Sequence, residues 1–412
     1  MVAQTIQPTD AIVVGGGPVG SYVALKLAKQ GIKTTVFEEH SSIGFPSHCA
    51  GHISIRSLRR MELYPLPKGI VENTFCAANF HSPLGSKFSL KLSCPVTLAL
   101  NRARFDQFLA DQAKNAGASL VLGSLVQSLL VIDGSVKGVN IRQTDGSEEK
   151  IYSKIVLDAE GVSSRLLRQA GLKALKTSGL VYAVEAEVDT VQDVELNAVE
   201  VYFGKSYAPG FYGWLIPRPD GSAKVGLATN KGDPREYLKR LMFKHPVASK
   251  QLRKSNITKV GYHAITLGGP INKSYADGFI AVGDCASQVK PTTGGGVIFG
   301  LTAAKAAAEV AYQAIAQGDV SSNVLQSYQK RCDELLKFDF IVMLRIRRFL
   351  DSLSDQRLDE MLRVCGKLGV DKALRDVDEI DFQGKMLLTA VKKPSMLVAL
   401  TYFGLLYLSA NP

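Results

Sequence analysis

Uncharged apolar runs long enough to span a bilayer, roughly 18 to 20 residues, are missing from this 412-residue chain, so no transmembrane helix is expected. Paired cysteines are missing too. The six thiols, Cys49, Cys76, Cys94, Cys285, Cys332 and Cys365, form no CxxC motif and no zinc spacing. That argues against a disulfide framework and a cysteine-held iron–sulfur cluster. Reduced thiols in a cytoplasmic protein are expected, and no metal site is. The N-terminal MVAQTIQPTD lacks the apolar core of a signal peptide, so export is not expected. With no internal repeat, no low-complexity segment and no recognisable RNA- or DNA-binding module, nucleic acid is not an expected partner. Acidic residues are in deficit, 38 against 49 Lys and Arg, which leaves a net charge of +11. That sign suits a phosphate-bearing substrate, an anionic membrane face or an acidic redox protein.

What is present is a folded composition, 46% hydrophobic and 21% charged, in a chain long enough for roughly two to three domains. The sharpest local signal is AIVVGGGPVGSYVALKLAKQGIKTTVFE, residues 11–38. An apolar run enters Gly15, Gly17 and Gly20 at GxGxxG spacing, a helix follows, and a second apolar run ends at Glu38. The spacing predicts strand, tight turn, helix and parallel strand. Gly15 permits the turn, Gly17 lets the main chain approach a pyrophosphate, and Gly20 lets the helix lie close to the strand. The helix N-terminus offers N–H groups and partial positive charge to the phosphates. Glu38 is placed to accept from a ribose 2′-hydroxyl, which favours FAD or NAD over NADP.

Further along, strands are expected between residues 74 and 100, a helix from Asn101 towards Gly117, and hairpins around Asp133-Gly134 and Asp145-Gly146. Strand signals dominate residues 181–227. The nucleotide-binding pattern then returns in GFIAVGDCASQVKPTTGGG, where a strand ends in Gly283-Asp284 and Gly294, Gly295 and Gly296 open an alanine-dense helix at 297–317. Asp284 can accept from a ribityl chain, and the three glycines place bare N–H groups beside a pyrimidine ring or pyrophosphate. Beyond Ser321 the chain reads as helices.

Five segments together resemble the FAD-dependent geranylgeranyl reductase family, among flavoproteins of the aromatic-hydroxylase type. They are GGGPVG with Glu38, PSHCAG at 46–51, NRARFD at 101–106, DAEG at 158–161 and VGDCASQVKPTTGGG at 282–296. The stretch PGFYGWLIP at 209–217 looks like that family's YxWxFP signature, with Ile216 in place of the phenylalanine. The resemblance implies FAD as cofactor, with Arg102 at its phosphate or ribose and Cys49 and Ala50 beside flavin or substrate. It also implies that Tyr212 and Trp214 line a prenyl pocket. Cys49, Tyr212 and Trp214 are thus the catalytic candidates, although a free Cys is also a common buried small residue and aromatic rings commonly fill cores. His48 and His52, flanking Cys49, are candidate acids or phosphate contacts, or solvated loop residues.

The expected fold is α/β. A Rossmann-like FAD-binding domain would take residues 1–75, 99–180 and 262–330; an inserted β-rich substrate domain, 76–98 and 181–261; and a helical C-terminal portion, 331–412. The implied reaction is saturation of isolated C=C bonds in a prenyl lipid or prenyl diphosphate. NAD(P)H, bound transiently for want of a second GxGxxG, or ferredoxin would supply the electrons. The alternatives are a flavin monooxygenase, and an electron carrier to a quinone or protein partner. The apolar tail at 396–408, behind Lys392-Lys393, is expected to close the substrate tunnel, dip into a membrane or pack as a terminal helix. With Arg345, Arg347 and Arg348 it suggests peripheral association with the inner membrane face.

Overall fold

The computed structural model describes residues 9–173, 175–375 and 379–410, and the side chains through Leu406 in the last stretch. The polar N-terminal stretch through residue 8, and Leu408 of the apolar tail, fall outside those limits. The chain divides into two compact units. One takes the residues up to Ser47 with Arg102–Gly179 and Thr266–Phe338; the other takes His48–Asn101, Leu180–Ile265 and the residues from Asp339.

In the first unit a six-stranded sheet runs in the order Tyr275–Ala276, Phe279–Ala281, Ile155–Asp158, Ala11–Val14, Thr34–Phe37 and Ser119–Val121. All neighbours are parallel except the first pair. Because its central strands are covered on both faces, they read as unbroken apolar runs rather than alternations. The helices Pro18–Ala28, Arg102–Asn115 and Val297–Gln317 belong to this unit. A Cβ on Gly300 would meet Val19 Cγ2 at 2.5 Å, so the first and third helices meet closely at a glycine. Ile12, Val14 and Val156 face the other way, into one core with Val139 and Ile141 of an antiparallel three-stranded meander, Ser124–Ile132, Ser135–Gln143 and Glu148–Tyr152. Both expected hairpins are its turns. Asp133 and Gly134 take φ of 49° and 76°, the positive values that a two-residue hairpin demands.

The second unit is built on a seven-stranded sheet ordered Ile257–Thr266, Leu180–Val188, Ala223–Thr229, Gly213–Pro217, Ala198–Tyr202, Ala77–His81 and Lys87–Lys91. One face packs Val184, Ala186, Leu215, Val225 and Leu227 against Leu238 and Leu241 of the helix Pro234–Lys244. On the other face, Phe88 and Phe80 join a cluster with Leu358, Met361, Met396 and Ala399 of the C-terminal helices. A smaller sheet of His52–Ser54, Thr97–Leu100 and Val71–Phe75 completes the unit.

This division differs from the expected one chiefly in two places, while residues 99–101 and 262–265 also fall in the second unit and 331–338 in the first. Residues 48–75 fall in the second unit because His52–Ser54 and Val71–Phe75 both pair with Thr97–Leu100. The residues from Asp339 also fall there, because their apolar side chains cluster with Phe88 of the large sheet. Neither pairing is written in the local pattern of the segments concerned.

Candidate functional site

Backbone economy shapes the glycine turn in the first unit. Gly15 has a φ of 93°, and a Cβ there would meet the carbonyl oxygen of Ala159 at 2.6 Å; at Gly20 it would meet that of Gly15 at 2.0 Å. At Gly17 it would meet nothing within 4 Å. Two glycines are therefore required by the fold, whereas the third borders open space at the start of the helix Pro18–Ala28, which suits a pyrophosphate. Glu38 lies at the same turn. Its Oε2 accepts from the Gly16 N–H at 2.7 Å, and its Oε1 accepts from the His40 N–H at 3.0 Å and lies 2.5 Å from His40 Nδ1, which fixes the carboxylate and leaves Oε2 a lone pair for a ribose hydroxyl.

Arg102, opening the Arg102–Asn115 helix, donates from Nε and Nη2 to the two carboxylate oxygens of Asp106, at 3.2 and 3.1 Å. Burial raises the pKa of Asp106 and Arg102 opposes the rise. A forked pair of this kind holds the guanidinium plane in one orientation. Asp284 follows Gly283, which has a φ of 81°, and its Oδ1 would lie 2.6 Å from a Cβ on Gly296. Asp284 and the Gly294–Gly296 turn are thus adjacent although ten residues apart in sequence. Burial raises the pKa of Asp284, and the charge of Arg102 lowers it. In the DAEG segment, Glu160 accepts from Leu166 N–H at 2.7 Å and Arg165 Nε at 3.3 Å, while Cys285, beside Asp284, is buried.

The remaining candidates lie in the second unit. Pro209-Gly210 turns as expected, with Gly210 at a φ of 78°. The strand begins at Gly213, so Tyr212 stands just before it. Its ring meets that of Trp214 edge to face at 6.1 Å. Trp214 occupies a row of directly paired residues that crosses the sheet: Phe88, Phe80, Val201, Trp214, Gly226 and Glu185. A Cβ on Gly226 would meet Trp214 Cζ2 at 2.5 Å, so the indole lies over that bare position. It thereby reaches the next strand but one, where Nε1 donates to Glu185 Oε2 at 3.3 Å. Burial raises the pKa of Glu185 to about 7, with Lys224 and the Trp214 hydrogen bond opposing the rise.

Cys49 and Ala50 lead into the His52–Ser54 strand. The Gly51 N–H lies 3.4 Å from Cys49 Sγ, and Ala50 packs in one apolar cluster with Phe75, Val199, Ile216 and Trp214. Ala50 is tethered from the sheet. The buried Lys224 donates from Nζ to the carbonyl oxygens of Ala50 at 3.3 Å and Leu100 at 3.0 Å, and pairs with Glu72 Oε2 at 2.8 Å. His52 Nε2 is 2.7 Å from Thr97 Oγ1. His48 packs against Gly261, where a Cβ would meet its Nδ1 at 2.7 Å.

Sequence reasoning brought together Gly15, Gly17, Gly20 and Glu38, and separately Asp284 with Gly294, Gly295 and Gly296. It had Asp106 only as the end of the NRARFD segment, and it missed Glu185, Lys224 and Gly226. The available signal was a charge inside an apolar strand, as in LVYAVEAEV at 180–188 and AKVGLAT at 223–229. One basic residue reads differently in three dimensions. Arg347 was expected on a lipid-facing stretch, but it is mostly buried, bonded to Asp351 Oδ2 at 2.9 Å and set over the Phe211 ring.

A family model described as an FAD binding domain matches residues 8–337. The fold and this match accordingly define an FAD-dependent oxidoreductase. Over 360 residues the chain is 34% identical to digeranylgeranylglycerophospholipid reductase 2 of Methanothermobacter thermautotrophicus, covering 86% of this chain and 91% of the relative. It is 33% identical over 391 residues to the digeranylgeranylglycerophospholipid reductase of Methanocaldococcus jannaschii, with 94% and 96% covered. Among solved structures, a geranylgeranyl bacteriochlorophyll reductase-like protein from Thermoplasma acidophilum superposes with a TM-score of 0.85 at 27% identity, over 96% of this chain and 99% of the other. The chain belongs to the FAD-dependent geranylgeranyl reductase family.

Proposed function

We propose that the protein saturates isolated C=C bonds of geranylgeranyl or related prenyl chains carried on a lipid or a diphosphate. The observation that carries this reading is the aromatic pair on the large sheet, where the Tyr212 and Trp214 rings meet edge to face and Trp214 is directly paired with Val201. Two relatives whose names specify prenyl-lipid reduction support the same reading.

When bound and reduced, FAD supplies hydride to one alkene carbon. The chain's own residues bind and align. The N–H groups around Gly15, Gly17 and Gly20 would hold the pyrophosphate, Glu38 and Arg102 the ribose and phosphate, Asp284 the ribityl chain, and Gly294, Gly295 and Gly296 the adjoining ring edge. Trp214 and Tyr212 form an apolar wall, with Cys49 and Ala50 at its margin, which excludes water and offers no competing hydrogen bond to a polyene. The electron donor is NAD(P)H or ferredoxin.

The test is anaerobic incubation of dithionite-reduced protein with geranylgeranyl lipids and geranylgeranyl diphosphate, followed by mass spectrometry. Products heavier by pairs of hydrogens are expected. Trp214→Ala should retain FAD yet lower the rate about tenfold, equivalent to roughly 1.4 kcal/mol of barrier. Unchanged lipid together with oxygen consumption on adding NAD(P)H would replace this reading with a monooxygenase.

A further inference from the structure

Resting on the reading that Asp284 holds the ribityl chain of FAD, we propose that Gln288 is the positioning residue for that contact, with Tyr328 as its anchor. Every residue concerned belongs to the first unit.

The need arises at Gly283. It follows the strand Phe279–Ala281 and opens the single helical turn Gly283–Ala286, directly before Asp284. Glycine is the residue least able to hold its own dihedral angles, and this one stands at a φ of 81°. Ser287, where the turn closes, also lies in the left-handed region, at a φ of 55°, which costs energy in a residue with a side chain. Val282, at the head of the turn, has no polar side chain to cap it. A turn so made does not aim Asp284 by itself.

Gln288 supplies what the turn lacks. Its backbone N–H donates to the Gly283 carbonyl oxygen at 3.0 Å, and its side-chain Oε1 accepts from the Gly283 N–H at 2.7 Å. The first bond holds the peptide plane after Gly283 and the second holds the plane before it. Together they fix both dihedral angles of the glycine, and with them the direction in which Asp284 leaves the chain.

The carboxamide is itself held. Because a backbone N–H can only donate, the carboxamide oxygen faces Gly283 and the nitrogen faces the other way. There Nε2 donates to Tyr328 Oη at 2.8 Å and lies 3.8 Å from Cys332 Sγ, while Tyr328 donates in turn to the Ala281 carbonyl oxygen at 3.1 Å. Gln288 and Tyr328 are both buried, and burial pushes the Tyr328 phenol well above its ordinary pKa, so it keeps the proton that Ala281 receives. The relay ties strand end and turn to the Ser322–Ser352 helix, and a buried polar chain with each link paired is rigid. Precision matters here, since Asp284 Oδ1 already stands 2.6 Å from where a Cβ on Gly296 would be.

The experiment uses the full-length protein stripped of flavin and titrated with FAD or with ADP, which shares the adenosine and pyrophosphate of FAD but has no ribityl chain. Gln288→Met keeps the side-chain length and removes both hydrogen-bonding groups; Tyr328→Phe keeps Gln288 and removes its anchor. Gln288→Met should raise the Kd for FAD about tenfold, and Tyr328→Phe by a smaller factor, while that for ADP stays within about twofold. In an Asp284→Ala background, Gln288→Met should add nothing further, because the contact it serves is already gone. Equal weakening of FAD and ADP overturns the assignment, since Gln288 would then merely support the fold. So does wild-type FAD affinity in a folded Gln288→Met, or full additivity with Asp284→Ala. If Gln288→Met fails to fold, Tyr328→Phe carries the same comparisons. An Asp284→Ala variant that binds FAD as tightly as the wild type overturns the ribityl contact itself, and that outcome is distinct from one in which Asp284→Ala loses FAD while Gln288→Met keeps it.

Discussion

Gly17 and Gly20 belong to one motif but should fail in different ways. A Cβ at Gly20 falls 2.0 Å from the Gly15 carbonyl oxygen, so Gly20→Ala must separate helix from strand and should lower the melting temperature. At Gly17 no protein atom is in reach, so Gly17→Val should yield a folded but colourless protein whose branched side chain occupies the phosphate position. A yellow Gly17→Val with full FAD content would remove the pyrophosphate from that turn. Glu185 supplies a second test, of stability. Its pKa rises from 4.5 to about 7 on folding, so between those values the folded chain retains a proton that the unfolded chain has lost. Its contribution to stability is therefore full below pH 4.5 and is lost as pH rises through 7, by up to about 3 kcal/mol. Glu185→Gln lacks this dependence, so in urea titrations it should gain on the wild type between about pH 5 and pH 8. Parallel stability curves would mean that the carboxyl is not held in its acid form.

Elements determine which of these residues a reader of the sequence can find. Gly15, Gly17, Gly20 and Glu38 were legible because strand, turn, helix and strand follow one another directly and each residue's work is local. Asp284 was legible because Gly294, Gly295 and Gly296 follow it within one loop. Glu185 was not, because its meaning comes from Trp214, 29 residues away, and from Gly226 between them, and strand pairing alone brings those three into register. The C-terminal helices were legible as helices but not as part of the second unit. Two of them are tied together by Asp339, buried in the Ser322–Ser352 helix, whose Oδ1 accepts from the Gly384 and Lys385 N–H groups at 2.7 and 3.2 Å at the start of Gln383–Ala390. Asp339→Ala should cost about 1 to 2 kcal/mol, as expected for a lost helix cap. It should also raise amide exchange selectively at residues 383–390; uniform exchange throughout would show that the cap is dispensable.

Over the whole molecule, charge and exposed apolar surface favour a lipid partner. No helix among the described residues is long and apolar enough to cross a membrane. The Pro394–Ala410 helix buries Met396, Ala399 and Leu406, but leaves Leu397, Val398 and Leu405 more than half exposed, just after Lys392 and Lys393. With a net charge of +11, the protein should sediment with anionic vesicles and be released by salt, because surface attraction is screened within about 8 Å at physiological ionic strength. Equal recovery with neutral and anionic vesicles at low salt would count against membrane docking. The chain passes between its two units five times, at 47/48, 101/102, 179/180, 265/266 and 338/339. During synthesis, therefore, neither unit is complete when the other begins. The first lacks its last segment until residue 338 has emerged, and the second waits for the final helices, so the nascent protein has no early folded half to lean on. A ribosome pausing between residues 48 and 338 would hold two unfinished cores.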